Sequence, residues 1–150
     1  MKIGLDIDGV LADFGTHFLD YLNIEDKSPA KEWDDDRFVS NFHRIMDDEN
    51  FWLTIPRLIE PYSLKFKPVI YVTARSIPSE ITKKWLLNNG FPDVPLISVG
   101  YNENKIDSLK DTIDVFIDDA VHNFEELNNA GIECLLMTRS HNLDYDAGDK

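Results

Sequence analysis

The chain has 150 residues, 43% of them hydrophobic, and carries a formal charge of -13 from 15 basic and 28 acidic side chains. That length and apolar content suffice for one compact domain with one sizeable core, while the charge excludes a protein built to grip nucleic acid or an anionic bilayer by long-range attraction. Apolar runs reach only a few residues, far from the roughly 20 of a membrane-spanning helix. The opening Met1-Lys2-Ile3-Gly4-Leu5-Asp6 turns acidic too early for a secretory signal. The single Cys134, set among apolar neighbours, is expected to be a buried thiol in a reducing, cytoplasmic setting.

In chain order, Ile3-Gly4-Leu5-Asp6-Ile7 reads as a first buried strand. Residues 15–67 then break the rhythm, because a simple crossover between parallel strands needs far fewer. They are expected to form a small helical insert, with Phe18, Leu19 and Leu22 as one apolar patch and Phe38, Phe42, Ile45 and Met46 as another. The runs Asp34-Asp35-Asp36 and Asp47-Asp48-Glu49 are expected to be solvated faces of that insert. Strands follow at 69–72, 96–99, 115–117 and 134–137, with helices at 79–89 and 121–130 that stop at Gly90 and Gly131. Alternation of strand and helix predicts an α/β fold, a parallel sheet covered on both faces, with core segments 1–14 and 68–150 and an insert at 15–67. The Asp- and Gly-containing tail after His141 is expected to fray.

The chemistry gathers at strand ends. Asp6-Ile7-Asp8-Gly9 follows an apolar strand at the carboxyl edge where ligands bind in open α/β sheets, and its two-residue spacing turns both carboxylates the same way. A calcium loop also opens Asp-x-Asp, but its sixth and twelfth positions require glycine and glutamate, and here they are Leu11 and His17. A second strand ends in Asp118-Asp119, which a parallel sheet brings beside the first pair. Four clustered carboxylates repel one another unless a cation neutralises them, and a hard ion such as Mg2+ suits oxygen ligands. Thr73, Ala74 and Arg75 close a third strand with a hydroxyl, backbone donors and a cation, and Lys105 or Lys110 adds an ammonium. Nucleophile, metal ligands, hydroxyl donor and cation together make up the equipment for phosphoryl transfer.

In order and context these motifs resemble the haloacid dehalogenase (HAD) superfamily of aspartate-nucleophile phosphatases. The resemblance implies a Rossmann-like core with a cap. It further implies Asp6 as nucleophile, Asp8 as general acid and base, Thr73 and Lys105 as phosphate ligands, and a magnesium site of Asp6, Asp8 and the acidic pair, in which Asp119 is the direct ligand and Asp118 supports it. A finer likeness joins Asp6-Ile7-Asp8-Gly9-Val10-Leu11-Ala12-Asp13-Phe14, then an insert ending in Phe51-Trp52-Leu53 and Pro56, to the 5'(3')-deoxyribonucleotidases. It implies that Phe14, Phe51 and Trp52 contact the base of a nucleoside monophosphate, with Ala74 and Arg75 near the substrate. The sequence departs from that pattern at Ala74, where serine is usual, and at Ala120, where a basic or polar residue is usual. Residues 115–134 also resemble the phosphatase domain of polynucleotide kinases, but a polymer end needs an open, basic approach, which this charge and insert oppose. A sugar-phosphate phosphatase and a metal-binding module without activity are the remaining readings, the last disfavoured by the intact set Asp6, Asp8, Thr73, Lys105 and Asp119.

Overall fold

The structure, a computed structural model, describes residues 1–100 and 103–150. Five parallel strands, β1 (Ile3–Leu5), β2 (Ile70–Thr73), β3 (Leu96–Ser98), β4 (Val115–Asp118) and β5 (Glu133–Leu136), lie in the order β3-β2-β1-β4-β5. The expected α/β class is thus present, as a Rossmann-like, wholly parallel sheet. Because the strand order reverses at β1, the chain leaves β1 and β4 in opposite directions and opens a crevice beyond their carboxyl ends.

Each strand turns alternate side chains to opposite faces, which gives the sheet two separate cores. Leu5 and Tyr71 pack with Phe18, Ile45, Phe51, Trp52, Trp85 and Leu86 on one face. Ile70, Val72 and Phe116 pack with Leu109, Phe124, Leu127 and Cys134 on the other. The first face is covered by α4 (Ser79–Asn88) and by the long β1-to-β2 connection, which contains α1 (Phe14–Tyr21), α2 (Asp36–Asn41) and α3 (Glu49–Leu53). The second is covered by α5 (Ile106–Leu109) and α6 (Val121–Asn129). Helices α4 and α6 are followed by Gly90 and Gly131, whose φ values of 83° and 82° suit the left-handed turn that ends a helix. Among the described residues, no helix is long and apolar enough to cross a membrane.

Three local features differ from the sequence expectation. One residue of each acidic run is a helix cap: Asp35 accepts from Arg37 N at the start of α2, and Asp48 from Phe51 N at the start of α3. Such caps satisfy backbone donors that the first turn leaves open. The short helix α5 has too few residues to display a period. The tail is also anchored: Lys150 O accepts from Leu136 N, the Tyr145 ring meets Phe124 at 5.8 Å, and Asn142 is buried.

Candidate active site

Parallel pairing of Leu5 with Ile117 brings the next residues of both strands side by side, and Asp6 N donates to Ile117 O at 3.0 Å. Strand β1 stops at Leu5, so the alternation expected to align Asp6 with Asp8 does not extend that far. Instead the chain folds into a tight turn in which Val10, Leu11 and Ala12 N–H groups converge on Ile7 O at 3.2, 2.8 and 3.0 Å. Gly9 occupies this turn with φ of 80°, and a Cβ built there would overlap the Asp119 carboxylate. The turn therefore needs glycine twice, for its backbone conformation and for the close approach of Asp119.

Asp118 is fully buried, and protein donors take up both of its oxygens. Oδ1 accepts from Ala120 N at 2.9 Å; Oδ2 accepts from Lys105 Nζ at 2.8 Å and Asn123 Nδ2 at 3.1 Å. Lys105 Nζ also stands 3.0 Å from Asp6 Oδ1, whereas Lys110 is exposed. Burial alone would discharge Lys105, but Asp118 and Asp6 outweigh it and raise its pKa above the ordinary lysine value. Burial pushes Asp6 well above the usual carboxylate range; Lys105 opposes this, and Asp118, Asp119 and Asp8 add to it. Asp119 is also pushed up by burial, with its hydrogen bond to His141 pulling the other way. One lysine thus does not neutralise the cluster.

One oxygen from each of Asp6, Asp118 and Asp119 lies within 4.8 Å of the others, a spacing that could accept a metal ion. Three buried carboxylates against one ammonium and one imidazole, that of His141, suit a hard cation such as Mg2+. With the oxygens of Asp118 already occupied, Asp6 and Asp119 are the better placed to ligate. Asp8 lies apart from this group: Arg75 holds its carboxylate through Nε to Oδ2 at 2.9 Å and Nη2 to Oδ1 at 2.6 Å.

Thr73 is buried at the end of β2, next to β1, with half-buried Ala74 beside it. Arg75, expected to face substrate, is only 3% exposed, and its guanidinium is engaged within the protein. The aromatic residues also divide. Phe51 and Trp52 are 0% and 1% exposed and belong to the core between the insert and the sheet, where the Trp52 indole donates to Ile45 O at 2.9 Å. Phe14 is half-buried, its ring 5.8 Å from both Phe51 and Trp52. Of the three, it alone has surface to offer a ligand.

Sequence reasoning missed the ring of residues around Asp119. His141 Nε2 lies 3.1 Å from Asp119 Oδ2, Asn142 Nδ2 donates to Asp119 O at 2.9 Å, and Arg139 Nε donates to Gly9 O at 2.5 Å. These side chains come from the segment after β5, 20 or more residues beyond Asp119, where nothing local signals the contact. Asn123 had a weak local signal, since it lies one helical turn past Asp119.

No family model matches the chain. Over 155 aligned residues the chain is 29% identical to a 5'(3')-deoxyribonucleotidase of Bacillus subtilis (strain 168), and to the same degree to a 5'(3')-deoxyribonucleotidase of Bacillus phage SPbeta. The chain is similar to nucleotidases over nearly its whole length. In each case 93% of this chain and 86% of the relative are aligned, so the match takes in the insert together with the strands that follow it.

Proposed function

We propose that this protein is an Mg2+-dependent phosphomonoester hydrolase of the HAD type, acting on nucleoside monophosphates as a 5'(3')-deoxyribonucleotidase. The observation that carries the reading is the buried constellation of Asp6, Lys105, Asp118 and Asp119 at the switch point of the sheet. Similarity to two nucleotidases supports the substrate class. In this reading residues 1–14 and 68–150 form the catalytic core, and residues 15–67 form a cap that packs behind the base-facing Phe14.

Asp6 attacks phosphorus through a carboxylate oxygen, forming an aspartyl phosphate as the ester P–O bond breaks. The electron pair of that bond stays on the leaving oxygen, which takes a proton from Asp8. Asp8, now ionised, removes a proton from water; the water oxygen attacks phosphorus, and the Asp6 O–P bond breaks to release inorganic phosphate. Lys105 and Thr73 balance and orient the phosphate oxygens, while Asp118 fixes Lys105 by the 2.8 Å contact. Asp6 and Asp119 would hold Mg2+, which would supply positive charge to the transferring phosphoryl group. Phe14 offers a ring face for the base, and Phe51 and Trp52 set the position of Phe14 by packing beneath it.

Phosphate release from 5'- and 3'-monophosphates of deoxyribo- and ribonucleosides, sugar phosphates and 3'-phosphorylated oligonucleotides, with and without Mg2+, tests the reading. Nucleoside monophosphates are expected to be the preferred substrates. Preferred turnover of sugar phosphates or oligonucleotide ends would reject the substrate assignment.

A further inference from the structure

Arg75 is the one buried cation at this sheet edge, among the described residues, that does not face the Asp6 cluster. Its two-point pairing with Asp8 is joined by a donation from Nη1 to Thr82 Oγ1 of α4 at 3.2 Å, and its guanidinium carbon lies 4.9 Å from the centre of the Trp52 ring. The side chain of Arg75 is 2% exposed, that of Asp8 28%. The cation is thus shut inside while the carboxylate it grips reaches solvent. We infer that Arg75 is a positioning residue, which fixes Asp8 in the orientation needed for proton transfer and ties that orientation to the insert through Trp52. This inference rests on the proposed function and deepens it.

A planar guanidinium gripping both carboxylate oxygens fixes the plane of the carboxylate as well as its distance, which a lysine ammonium cannot do. It uses one lone pair on each oxygen and leaves the others free, one of them to carry the proton that Asp8 passes to the leaving oxygen and later takes from water. The contacts to Thr82 and Trp52 hold the guanidinium itself in place, since an arginine anchored at one point only would swing with its partner. The same arrangement argues against direct substrate binding by Arg75, whose side chain is closed to solvent and whose guanidinium already donates to Asp8 and Thr82 and lies against Trp52.

The inference is tested through the leaving group. A nucleoside or alkyl leaving oxygen needs the proton that Asp8 supplies when the ester bond breaks, whereas p-nitrophenolate departs without it. General acid catalysis contributes about 100- to 10,000-fold, so Asp8→Asn should lose far more kcat/KM, which stops at departure of the leaving group, on a nucleoside monophosphate than on p-nitrophenyl phosphate. Arg75→Lys, which keeps charge but loses the fork, should show the same selectivity at smaller size, about 10- to 100-fold on the nucleotide and only a few-fold on the aryl ester. In an Asp8→Asn background, Arg75→Lys should add little. Thr82→Val, which removes one anchor and keeps the ion pair, should give a weaker loss of the same selectivity if Arg75→Lys does not fold.

Equal losses on both substrates in kcat/KM, which reads the steps up to departure of the leaving group and not the shared hydrolysis of the aspartyl phosphate, would overturn the inference, because a phosphate contact or a merely structural role affects both alike. So would an Arg75→Lys effect undiminished without Asp8. If Asp8→Asn itself lacks leaving-group selectivity, the assignment of Asp8 falls and takes the inference with it. If Asp8→Asn is selective and both Arg75→Lys and Thr82→Val are not, only the role of Arg75 falls.

Discussion

Lys105 Nζ lies 3.0 Å from Asp6 Oδ1, and both side chains are almost closed to water. An ammonium in such a place persists only because Asp6 and Asp118 share it. Replacing it by Met would leave two buried carboxylates without their cation. Lys105→Met is expected to cost about 3 to 5 kcal/mol of stability, the range for breaking a buried pair, and to abolish turnover. Chemical denaturation with a phosphate-release assay checks both, and an unchanged midpoint would show that the pair contributes little.

Divalent metal should be required. Chelation by EDTA is expected to stop phosphate release and Mg2+ to restore it, and Asp119→Ala should raise the Mg2+ requirement or end activity. Gly9→Ala should act in the same direction without touching a carboxylate, since its Cβ would displace Asp119. Its φ of 80° adds a backbone cost, about 1 to 2 kcal/mol for an L-residue in that region. A Gly9→Ala protein with wild-type Mg2+ dependence would contradict the close packing of the turn on Asp119.

The aromatic residues should separate by burial. Trp52→Ala empties a core position and loses the indole hydrogen bond, so about 3 to 5 kcal/mol of stability should go, with activity falling on all substrates. Phe14→Ala should spare more of the fold and remove about 1 to 3 kcal/mol of base stacking, or roughly 5- to 150-fold in kcat/KM, for nucleotides but not for p-nitrophenyl phosphate. Melting curves and paired kinetics on the two substrates distinguish these outcomes. Parallel losses in the Phe14→Ala protein would place Phe14 with the core residues.

Much of this was legible because strands and helices of a parallel sheet advertise themselves by apolar runs and Gly stops. The carboxyl-edge motifs Asp6-Ile7-Asp8 and Asp118-Asp119 could be set at one edge from the parallel direction of their strands alone. What the sequence concealed is non-local. Arg75 and Asp8 are 67 residues apart, and the capture of one by the other depends on how α4 and the insert pack. Phe51 and Trp52 carry the same apolar signature whether they line a pocket or fill a core, so only their burial in the structure distinguishes the two. The tail after His141 looked featureless because its anchors, Asn142 to Asp119 and Lys150 to Leu136, are tertiary.

Histidine 17 provides a pH test of the insert. His17 Nε2 lies 3.0 Å from Phe51 O, its ring packs on Phe51 at 4.8 Å, and burial lowers its pKa below the ordinary 6.5. Below 6.5 the unfolded chain binds a proton here more readily than the folded one, so folding stability falls as pH drops. The contribution is complete above 6.5 and is lost as pH falls from there through the lower folded-state value. Melting temperatures between about pH 7.5 and pH 5, compared with those of His17→Gln, should reveal this slope. An NMR titration midpoint for His17 at or above the ordinary value would contradict it.

The most direct test of the central claim is phosphate release from a deoxyribonucleoside monophosphate in Mg2+ by the wild-type protein and by Asp6→Asn. The substitution keeps the shape of the side chain and removes the attacking charge, so the variant should fold, with an unaltered circular dichroism spectrum, and release phosphate only at the background rate while the wild type turns over. A folded Asp6→Asn protein with near-wild-type turnover would contradict the aspartyl-phosphate mechanism, and a wild-type protein inactive on every phosphomonoester offered would contradict the assignment as a phosphatase.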